Sequence, residues 1–393
     1  EERNRYWPMI RRAITFIVRN GASSELDRWE EQEGYNAFTL SVTINSFLIA
    51  ADWADVVGEA ELATYLRETA RIWDACIEGW TYVRGSKLAN QVGVDGYYAR
   101  ILPPQSVEPT YAYQECACLL DTDAGEQDPP AHEVVSVDAL ALVRFGLRDH
   151  NDPKILNTLK VIDATLKLET TRGPIWHRYT ADRFGEHDDG SAFDPDNKGR
   201  GRAWPLLIGE RAHYELASGN HDRVSELMAA MTAYASDTGL ISEQVWDADD
   251  IPEKNLFRGR PTGSASPLLW AHSEYLKLLR SDRDKMVFDK PIQAKRLREG
   301  KAEPCSLWRV EHPVRSIPSG NALRIEAPEG IDIEWHIDGK STQTMAGAPS
   351  FLGVRVVDIP ADSLHQGSRI KITATKKRRD GSHCRMENDV EVR

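Results

Sequence analysis

Two short segments of the sequence place glutamate beside tryptophan, where a carboxyl group could donate or accept a proton. The first segment is residues 26–35, in which Glu30 and Glu31 follow Arg28 and Trp29. Burial beside an aromatic ring raises the pKa of a carboxyl group, and a neighbouring cation lowers it, so this segment could hold an acid with an adjusted pKa. Taken alone, the same residues also fit a solvated acidic approach to the following helix.

The second segment, residues 239–247, places Glu243 and Trp246 in a loop between two predicted helices. In isolation this glutamate also fits a helix N-cap or an exposed loop residue. Cleavage of a glycosidic bond requires one carboxylic acid that protonates the leaving oxygen and a second carboxylate on the opposite side of the sugar. If both loops lie on one rim of the fold, the pair Glu30 and Glu243 therefore predicts glycosidic chemistry.

The elements that must position these loops are predicted to be mainly helical as far as about residue 281. Apolar residues recur with helical periodicity in residues 6–19 and 38–57, and Gly21 and Gly58 stand where these helices should end. The same periodicity predicts further helices at about 60–84, 132–149, 153–170, 204–218, 221–236 and 266–281. The connections between the helices are long and rich in Gly, Pro, Asp, Arg and Trp, which suits loops on one rim of a helical scaffold.

Helix pairs joined by such long loops predict an α/α toroid or superhelix, since compact bundles use connections of about 2–8 residues. The composition then changes, because residues 292–320 are charged and contain proline. Short strands are predicted at 322–327, 331–337, 354–359, 369–375 and 389–392, with turns at 328–330, 338–340 and 380–382. We therefore expect a helical domain over residues 1–291, a linker over 292–320 and a small all-β sandwich over 321–393.

Five motifs follow one another in order along the helical region. They are residues 27–35 (DRWEEQEGY), 178–179 (RY), 201–211 (GRAWPLLIGER), 242–247 (SEQVWD) and 263–272 (GSASPLLWAH). In this order they resemble bacterial members of glycoside hydrolase family 15, which contains glucoamylases and glucodextranases. The resemblance extends over roughly residues 5–290, and five ordered motifs are far more specific than any one of them.

The resemblance implies a mainly α fold, an (α/α)6 toroid with a pocket at the rim where the motif loops converge. It also implies an exo-acting, inverting hydrolase that releases β-D-glucose from the non-reducing ends of α-glucans. Glu30 would be the general acid and Glu243 the general base. Inversion needs about 6.5–9.5 Å between the two carboxyl groups to hold the attacking water. The acid is expected to have a raised pKa and the base an ordinary or lowered one.

The resemblance further implies residues that bind the sugar. Arg178 resembles the family's arginine for sugar hydroxyl groups, and a structural ion pair is its alternative role. Glu31 and the backbone around Arg28 and Trp29 resemble contacts to the second sugar, and Trp270 resembles an aromatic residue that lines the innermost pocket. Core packing is the alternative for both tryptophans. Four other motif residues are expected to brace the loops: Arg202, Trp204, Glu210 and Arg211.

The sequence also departs from the family pattern. It has no counterpart of the arginine–aspartate pair that grips the terminal glucose, nor of an early helix hairpin. The chain opens with Glu1 directly before a helix, and fewer helices are predicted than a closed toroid contains. We therefore expect the toroid to be incomplete at its N-terminus, with apolar helix faces exposed. Two alternative functions stay open, a glucodextranase acting on α-1,6-glucan and a glycan-binding homologue or fragment without turnover.

Composition restricts the partners that the chain could have. The net charge is −12 at pH 7, so the chain has no broad basic surface for nucleic acid or an anionic membrane. No uninterrupted apolar run approaches the roughly 20 residues of a bilayer span. An α-glucan and water are the expected partners, no organic cofactor is predicted, and the compartment stays open.

Cysteines and acidic residues give weak signals. The five scattered cysteines, Cys76, Cys116, Cys118, Cys305 and Cys384, argue against a disulfide framework. An acidic loop with Asp188, Asp189, Asp194 and Asp196 fits a solvated loop better than a calcium site. No metal site is therefore predicted.

Overall fold

A computed structural model describes residues 2–103, 129–196, 198–299, 304–377 and 383–393. Helices dominate up to residue 299, and strands dominate from residue 305 onwards. The longer helices are Glu2–Asn20, Ala37–Val56, Ala60–Thr81, Pro153–Thr165, Pro205–Ala217, His221–Ala233 and Leu269–Asp284. Shorter helices lie at Lys87–Val92, Ala141–Arg144 and Gln293–Glu299. The predicted order of a helical region followed by a β region is therefore found.

The helix Ala37–Val56 lies at the centre of the described helical core. Asn36 caps its N-terminus by accepting a hydrogen bond from the backbone N–H of Thr39 at 3.0 Å. Its buried side chains recur every three or four residues and pack against the helix Ala60–Thr81. Short two-stranded ribbons, β1 (Tyr82–Arg84) with β2 (Gly96–Tyr98) and β3 (Lys167–Thr170) with β4 (Gly173–Trp176), connect other helices.

Among the described helices, only Ala37–Val56 is long and apolar enough to cross a membrane by length and composition. Core helices of globular proteins pass the same test, and 56% of the most apolar window of this helix is buried inside the structure. Counting uninterrupted apolar residues missed this helix, because threonine, serine and asparagine interrupt its apolar run. The burial is that of a helix in a protein core.

The prediction of one helix over about residues 132–149 was wrong. The structure instead has two 3₁₀ turns, Ala131–Glu133 and Val137–Leu140, followed by the four-residue helix Ala141–Arg144. Ser136 accepts a hydrogen bond from the backbone N–H of Asp138 at 3.3 Å, which stabilises a turn rather than a regular helix. The periodicity was misleading because almost every side chain from 137 to 144 is buried, so the segment has no polar face.

The β region contains two sheets. The four-stranded sheet has the order β10 (Ser350–Phe351), β11 (Val354–Ile359), β7 (Ala322–Pro328) and β5 (Cys305–Arg309). The five-stranded sheet has the order β6 (Ser316–Ile317), β13 (His383–Val392), β12 (Arg369–Lys377), β8 (Ile331–Ile337) and β9 (Gln343–Thr344). All five predicted strands are confirmed, and the turn predicted at 380–382 lies outside the described residues.

The prediction that residues 292–320 form a linker was wrong. This stretch contains the helix Gln293–Glu299 and the strands β5 and β6. Strand β5 pairs in parallel with β7, and Leu307, Trp308 and Arg309 are all buried in it. The charge and proline content of this stretch are typical of a linker, but the buried Arg309 of β5 pairs with Glu326 on β7, a contact that composition does not show.

The four-stranded sheet is covered on both faces. Along β7, Leu323 and Ile325 pack into the core between the two sheets, whereas Arg324 and Glu326 are buried on the opposite side. Arg324 forms ion pairs with Asp358 at 2.7 Å and, across to the helix Ala60–Thr81, with Glu68 at 3.3 Å. Along β7, the alternation of side chains thus separates residues of the apolar sandwich core from charged residues on the side of the helices.

The described cysteines, Cys76, Cys305 and Cys384, are all free thiols. The other two, Cys116 and Cys118, lie outside the described residues.

Candidate active site

Glu30 lies near the tip of the loop that connects the first two long helices, residues 21–36. Backbone hydrogen bonds join Ser24 and Gly34 in both directions, at 3.0 and 2.9 Å, so the loop closes on itself like a hairpin. Glu30 has φ of 60°, in the left-handed region that non-glycine residues rarely adopt. Such a conformation costs about 1–3 kcal/mol and persists where surrounding contacts enforce it, often at functional sites.

The adjacent carboxylates of Glu30 and Glu31 have different surroundings. Glu31 accepts hydrogen bonds from Arg100 at 2.6 Å, from Arg178 at 2.9 Å and from the Tyr179 hydroxyl at 2.6 Å. Glu30 is exposed, and within the described part of the chain its carboxylate has neither a hydrogen-bond partner nor an ion pair. Glu31 therefore fixes the loop, while Glu30 is left available for proton transfer.

Asp27 and Arg100 hold the tip of the loop in place. Asp27 accepts hydrogen bonds from the backbone N–H groups of Trp29 at 3.2 Å and Glu31 at 3.1 Å, and from Arg100 at 2.9 Å. The Arg100 side chain is completely buried, and its guanidinium carbon lies 3.6 Å from the ring centre of Tyr179. Sequence reasoning missed Arg100 as a site residue, because no motif or spacing links it to residues about 70 positions earlier.

The side chain of Arg28, whose backbone is predicted to contact the second sugar, forms ion pairs. Its guanidinium binds Glu210 at 2.5 and 3.0 Å and Asp138 at 2.6 Å. The guanidinium carbon also lies 4.6 Å from the ring centre of Trp29 and 5.6 Å from that of Trp270. The Arg28 side chain therefore braces the loop against two other segments. Glu210 has the bracing role expected for it.

The two predicted sugar-binding tryptophans differ in burial. Trp29 is 8% exposed and its ring contacts those of Trp204 and Trp270, with centroids 5.2 and 5.3 Å away. Trp270 is only partly buried, at the N-terminal turn of the helix Leu269–Asp284. Core packing thus describes the contacts of Trp29, whereas Trp270 keeps surface that a ligand could cover.

Arg178 joins the loop of Glu30 to other parts of the site. It follows strand β4, is 3% exposed and binds Asp182 through two hydrogen bonds of 2.7 Å, besides its contact with Glu31. Its guanidinium carbon lies 4.9 Å from the ring centre of Trp29. The structural ion pair considered as an alternative role is therefore present. Burial raises the pKa of Glu243, and the positive charge of Arg178 opposes this rise.

Glu243 lies in an extended segment that backbone hydrogen bonds hold on both sides. The N–H of Glu243 donates to the carbonyl of Ala265 at 2.9 Å, and the N–H of Val245 donates to the carbonyl of Ala203 at 3.0 Å. At residues 243 and 245, hydrogen bonds to neighbouring main chain therefore fix the direction of this segment. Ala203 and Ala265 belong to two other motifs, so these hydrogen bonds bring three of the sequence motifs together.

The pKa of the Glu243 carboxyl group is raised. Burial is the main cause, and the negative charge of Glu186 adds to it. The opposing influences are a long hydrogen bond of 3.5 Å from Gln244 and the charge of Arg178. The expectation of an ordinary or lowered pKa for this residue was therefore wrong. The half-buried carboxylate has too few donors to offset its lost hydration.

Asp247, at the end of the Glu243 segment, belongs to a second group of ionic contacts. Asp247 faces the Nε2 atom of His177 at 2.6 Å and accepts a hydrogen bond from Arg202 at 2.8 Å. Burial alone would raise the pKa of Asp247, but these two partners outweigh it and the pKa is lowered. Arg202 also donates to the carbonyl of Glu186 at 2.6 Å. Arg202 therefore has the bracing role that the sequence predicted.

Comparisons with known proteins show which family the chain resembles. The family model for glycosyl hydrolases family 15 matches residues 2–280. A glucoamylase from Clostridium sp. (strain G0005) is 35% identical over 288 residues, which are 73% of this chain and 37% of that protein. A crystal structure of a bacterial glucoamylase complexed with acarbose superposes with a TM-score of 0.63 at 35% identity, over 75% of this chain and 41% of that chain.

A glucoamylase from Blastobotrys adeninivorans is 30% identical over a shorter stretch of 76 residues, or 19% of this chain and 12% of that protein. The chain spans about two fifths of the length of the bacterial relatives that it matches. Its C-terminal β region lies beyond the residues that the family model matches. Over its helical part, the chain belongs to glycosyl hydrolases family 15.

Proposed function

We propose that this chain carries the catalytic pair of an inverting, exo-acting glycoside hydrolase that releases β-D-glucose from the non-reducing ends of α-glucans. The observation that carries the proposal is the contrast between Glu30 and Glu31. The carboxylate of Glu31 accepts hydrogen bonds from Arg100 and Arg178. The adjacent Glu30 has no such partner among the described residues, and its backbone adopts a left-handed conformation. A strained but uncommitted carboxyl group at a loop tip is suited to proton transfer.

In the proposed reaction, Glu30 protonates the glycosidic oxygen as the bond to the anomeric carbon breaks. Glu243 removes a proton from a water molecule, which attacks the anomeric carbon from the opposite face of the sugar. The proton from Glu30 leaves with the alcohol product, and Glu30 then regains a proton from solvent. The proton from water remains on Glu243 until it is released to solvent. The raised pKa of Glu243 makes it a stronger base once it is ionised.

We infer that Trp270 and Arg178 contribute most to sugar binding. Trp270 has the accessible ring, whereas Arg178, whose Nε and Nη2 atoms bind Asp182 and Glu31, would contact sugar hydroxyl groups through its Nη1 atom. Arg28, Trp29 and Glu31 would support the second sugar mainly by holding the loop. The proposed scaffold is an (α/α)6 toroid, with the helical domain over residues 1–291. A related bacterial glucoamylase binds acarbose, which supports an α-glucan pocket here.

The decisive experiment replaces each glutamate with glutamine. Glu30→Gln and Glu243→Gln should each reduce kcat on maltooligosaccharides by more than about 100-fold. Glu25→Gln is the matched control, since Glu25 is an exposed glutamate of the same loop, and it should retain wild-type activity. Activity above about a hundredth of wild type in either catalytic variant contradicts an essential acid–base role.

Two further measurements separate the alternatives. Proton NMR of the first released glucose should show the β-anomer, and initial α-glucose would contradict inversion. Comparing glucose release from starch with release from dextran distinguishes a glucoamylase from a glucodextranase. Saturable binding of a glucan without any glucose release would instead identify a glycan-binding homologue.

A further inference from the structure

The loop of Glu30, residues 21–36, has two arms that pair at Ser24 and Gly34, and we call the ends near Gly21 and Tyr35 their bases. The β region contacts the base near Gly21. Arg309, on β5, donates a hydrogen bond to the backbone carbonyl of Arg19 at 2.9 Å, in the last turn of the helix that leads into the loop. Its guanidinium also lies against Gly21, where an added Cβ would come within 3.1 Å of the Arg309 Nε atom. The Glu326 carboxylate, 2.6 Å away, fixes the Arg309 guanidinium in this position.

The base of the other arm is contacted as well. The ring of Tyr35 stacks on Trp80 with centroids 4.8 Å apart, and its other neighbour is His312, edge-on at 6.1 Å. A backbone hydrogen bond of 3.1 Å from His312 N–H to the carbonyl of Arg309 forms the turn that presents the imidazole. The turn 309–312 therefore contacts both ends of the loop, next to Gly21 and next to Tyr35.

A reciprocal contact strengthens this attachment. The Arg19 side chain donates to the carbonyl of Leu352, in the turn between β10 and β11, at 2.9 Å. Arg19 thus joins the end of the helix to the β region twice. Its backbone carbonyl accepts from Arg309, and its side chain donates to Leu352. Between these fixed bases, the pairing of Ser24 with Gly34 continues toward the tip. These hydrogen bonds connect the base of the loop to the tip at which Glu30 lies.

We propose that Arg309 and His312 of the β region are positioning residues for the catalytic loop, and that they hold its two bases so that Glu30 keeps its orientation. The inference rests on the proposed function for its effect on catalysis. Its structural part, the attachment of residues 21–36 by the turn 309–312, does not depend on that function. The β region is on this view a part of the active-site scaffold.

The test compares two buried arginines of the same sheet. Arg309 and Arg324 are each 2% exposed and each forms ion pairs, but the partner of Arg309 is the buried Glu326. Arg324 pairs with the half-exposed Asp358 and with the half-exposed Glu68 on the helix Ala60–Thr81, and not with the catalytic loop. Arg309→Met should lower kcat by about tenfold or more with KM within about twofold, since misplacement by about 1 Å can cost 100-fold. Arg324→Met should also lose stability, because it removes a buried guanidinium together with its ion pairs, while kcat changes by less than about twofold.

Hydrogen–deuterium exchange provides a readout that does not require activity. Amides of residues 22–36 should exchange faster in Arg309→Met than in Arg324→Met, with both proteins kept well below their unfolding temperatures. His312→Ala should show a smaller change of the same kind, and His312→Phe should restore protection because it keeps a ring against Tyr35. These milder variants serve as the test should Arg309→Met fail to fold.

Equal exchange of residues 22–36 in the wild type and in all of these variants overturns the inference. Equal loss of kcat in Arg309→Met and Arg324→Met would also overturn it, since the effect would then be general destabilisation. Failure of the proposed function is distinguishable, because the wild-type protein would release no glucose while the exchange difference persisted.

Discussion

The two segments that carry the proposed acid and base are held in place in different ways. Side-chain charges fix the loop of Glu30, through Asp27, Arg100 and the neighbouring Glu31. Main-chain hydrogen bonds to neighbouring extended segments fix the segment of Glu243. Backbone pairing tolerates most substitutions, whereas a buried charge network depends on every member. The acid loop should therefore be the more fragile half of the site.

The largest loss of stability and activity is expected when Arg100, the buried cation of the Glu30 loop, is replaced. Arg100→Met leaves Asp27 buried without its cation, and breaking a buried ion pair in this way costs about 3–5 kcal/mol. Urea denaturation should show this loss together with a large decrease in kcat. Arg100→Lys, which keeps the charge but not the planar fork, should lie between the methionine variant and the wild type. A loss below about 1 kcal/mol in Arg100→Met would contradict the charge network.

Stability measurements on the two adjacent glutamates sharpen the comparison within the loop. Glu31→Gln weakens hydrogen bonds to Arg100, Arg178 and Tyr179, so we expect a loss of about 1–3 kcal/mol. Glu30→Gln should change stability by less than about 0.5 kcal/mol, because that carboxylate is exposed. Thermal unfolding of both variants checks this, and equal losses would mean that Glu30 is also a brace.

The pH profile tests the base. Glu243 must be ionised to accept a proton, so activity should fall as the pH decreases through its raised pKa. Glu186→Gln removes a negative charge that raises this pKa, so the acid limb of kcat/KM should move to lower pH. Glutamine keeps the acceptor for the backbone N–H of Gly263. An acid limb that stays in place, or moves upward, would contradict the role of Glu243 as the base.

The smallest effect is expected in the segment of Glu243. Ser264→Ala removes one acceptor, the hydroxyl that binds the backbone N–H of Gln244 at 3.0 Å. Because several backbone bonds remain, the loss of stability should be about 1 kcal/mol or less and kcat should change little. A decrease in kcat as large as that of Arg100→Met would show that the base segment is equally sensitive.

Local sequence patterns predicted the strands better than the site. The alternation of buried and exposed residues gave strand β8 with its observed ends, since one face of that strand is solvated. The predicted helix at 132–149 failed because its side chains are buried all round. Strand β5 was assigned to a linker, since its partner β7 and its ion pair with Glu326 are determined by tertiary contacts.

The candidate site shows the same limit. The residue pattern alone singled out Glu30 and Glu31 together, and the resemblance gave them different roles, but only the structure shows the contacts that make their surroundings different. The distinction depends on Arg100 and Arg178, which lie 69 and 147 positions from Glu31 in the sequence. The raised pKa of Glu243 likewise depends on burial and on Glu186, neither of which appears in its own motif.

The four-stranded sheet has a practical consequence for dividing the chain. Leu307, Val354 and Val356 are buried in the same apolar cluster as the helices, and Phe351 stacks on Tyr65 at 4.7 Å. A polypeptide cut at residue 291, where the sequence alone would place the end of the helical unit, would leave this side of the helix Ala60–Thr81 uncovered. Bare apolar surface of that kind promotes association, so a shortened protein should aggregate rather than remain a monomer.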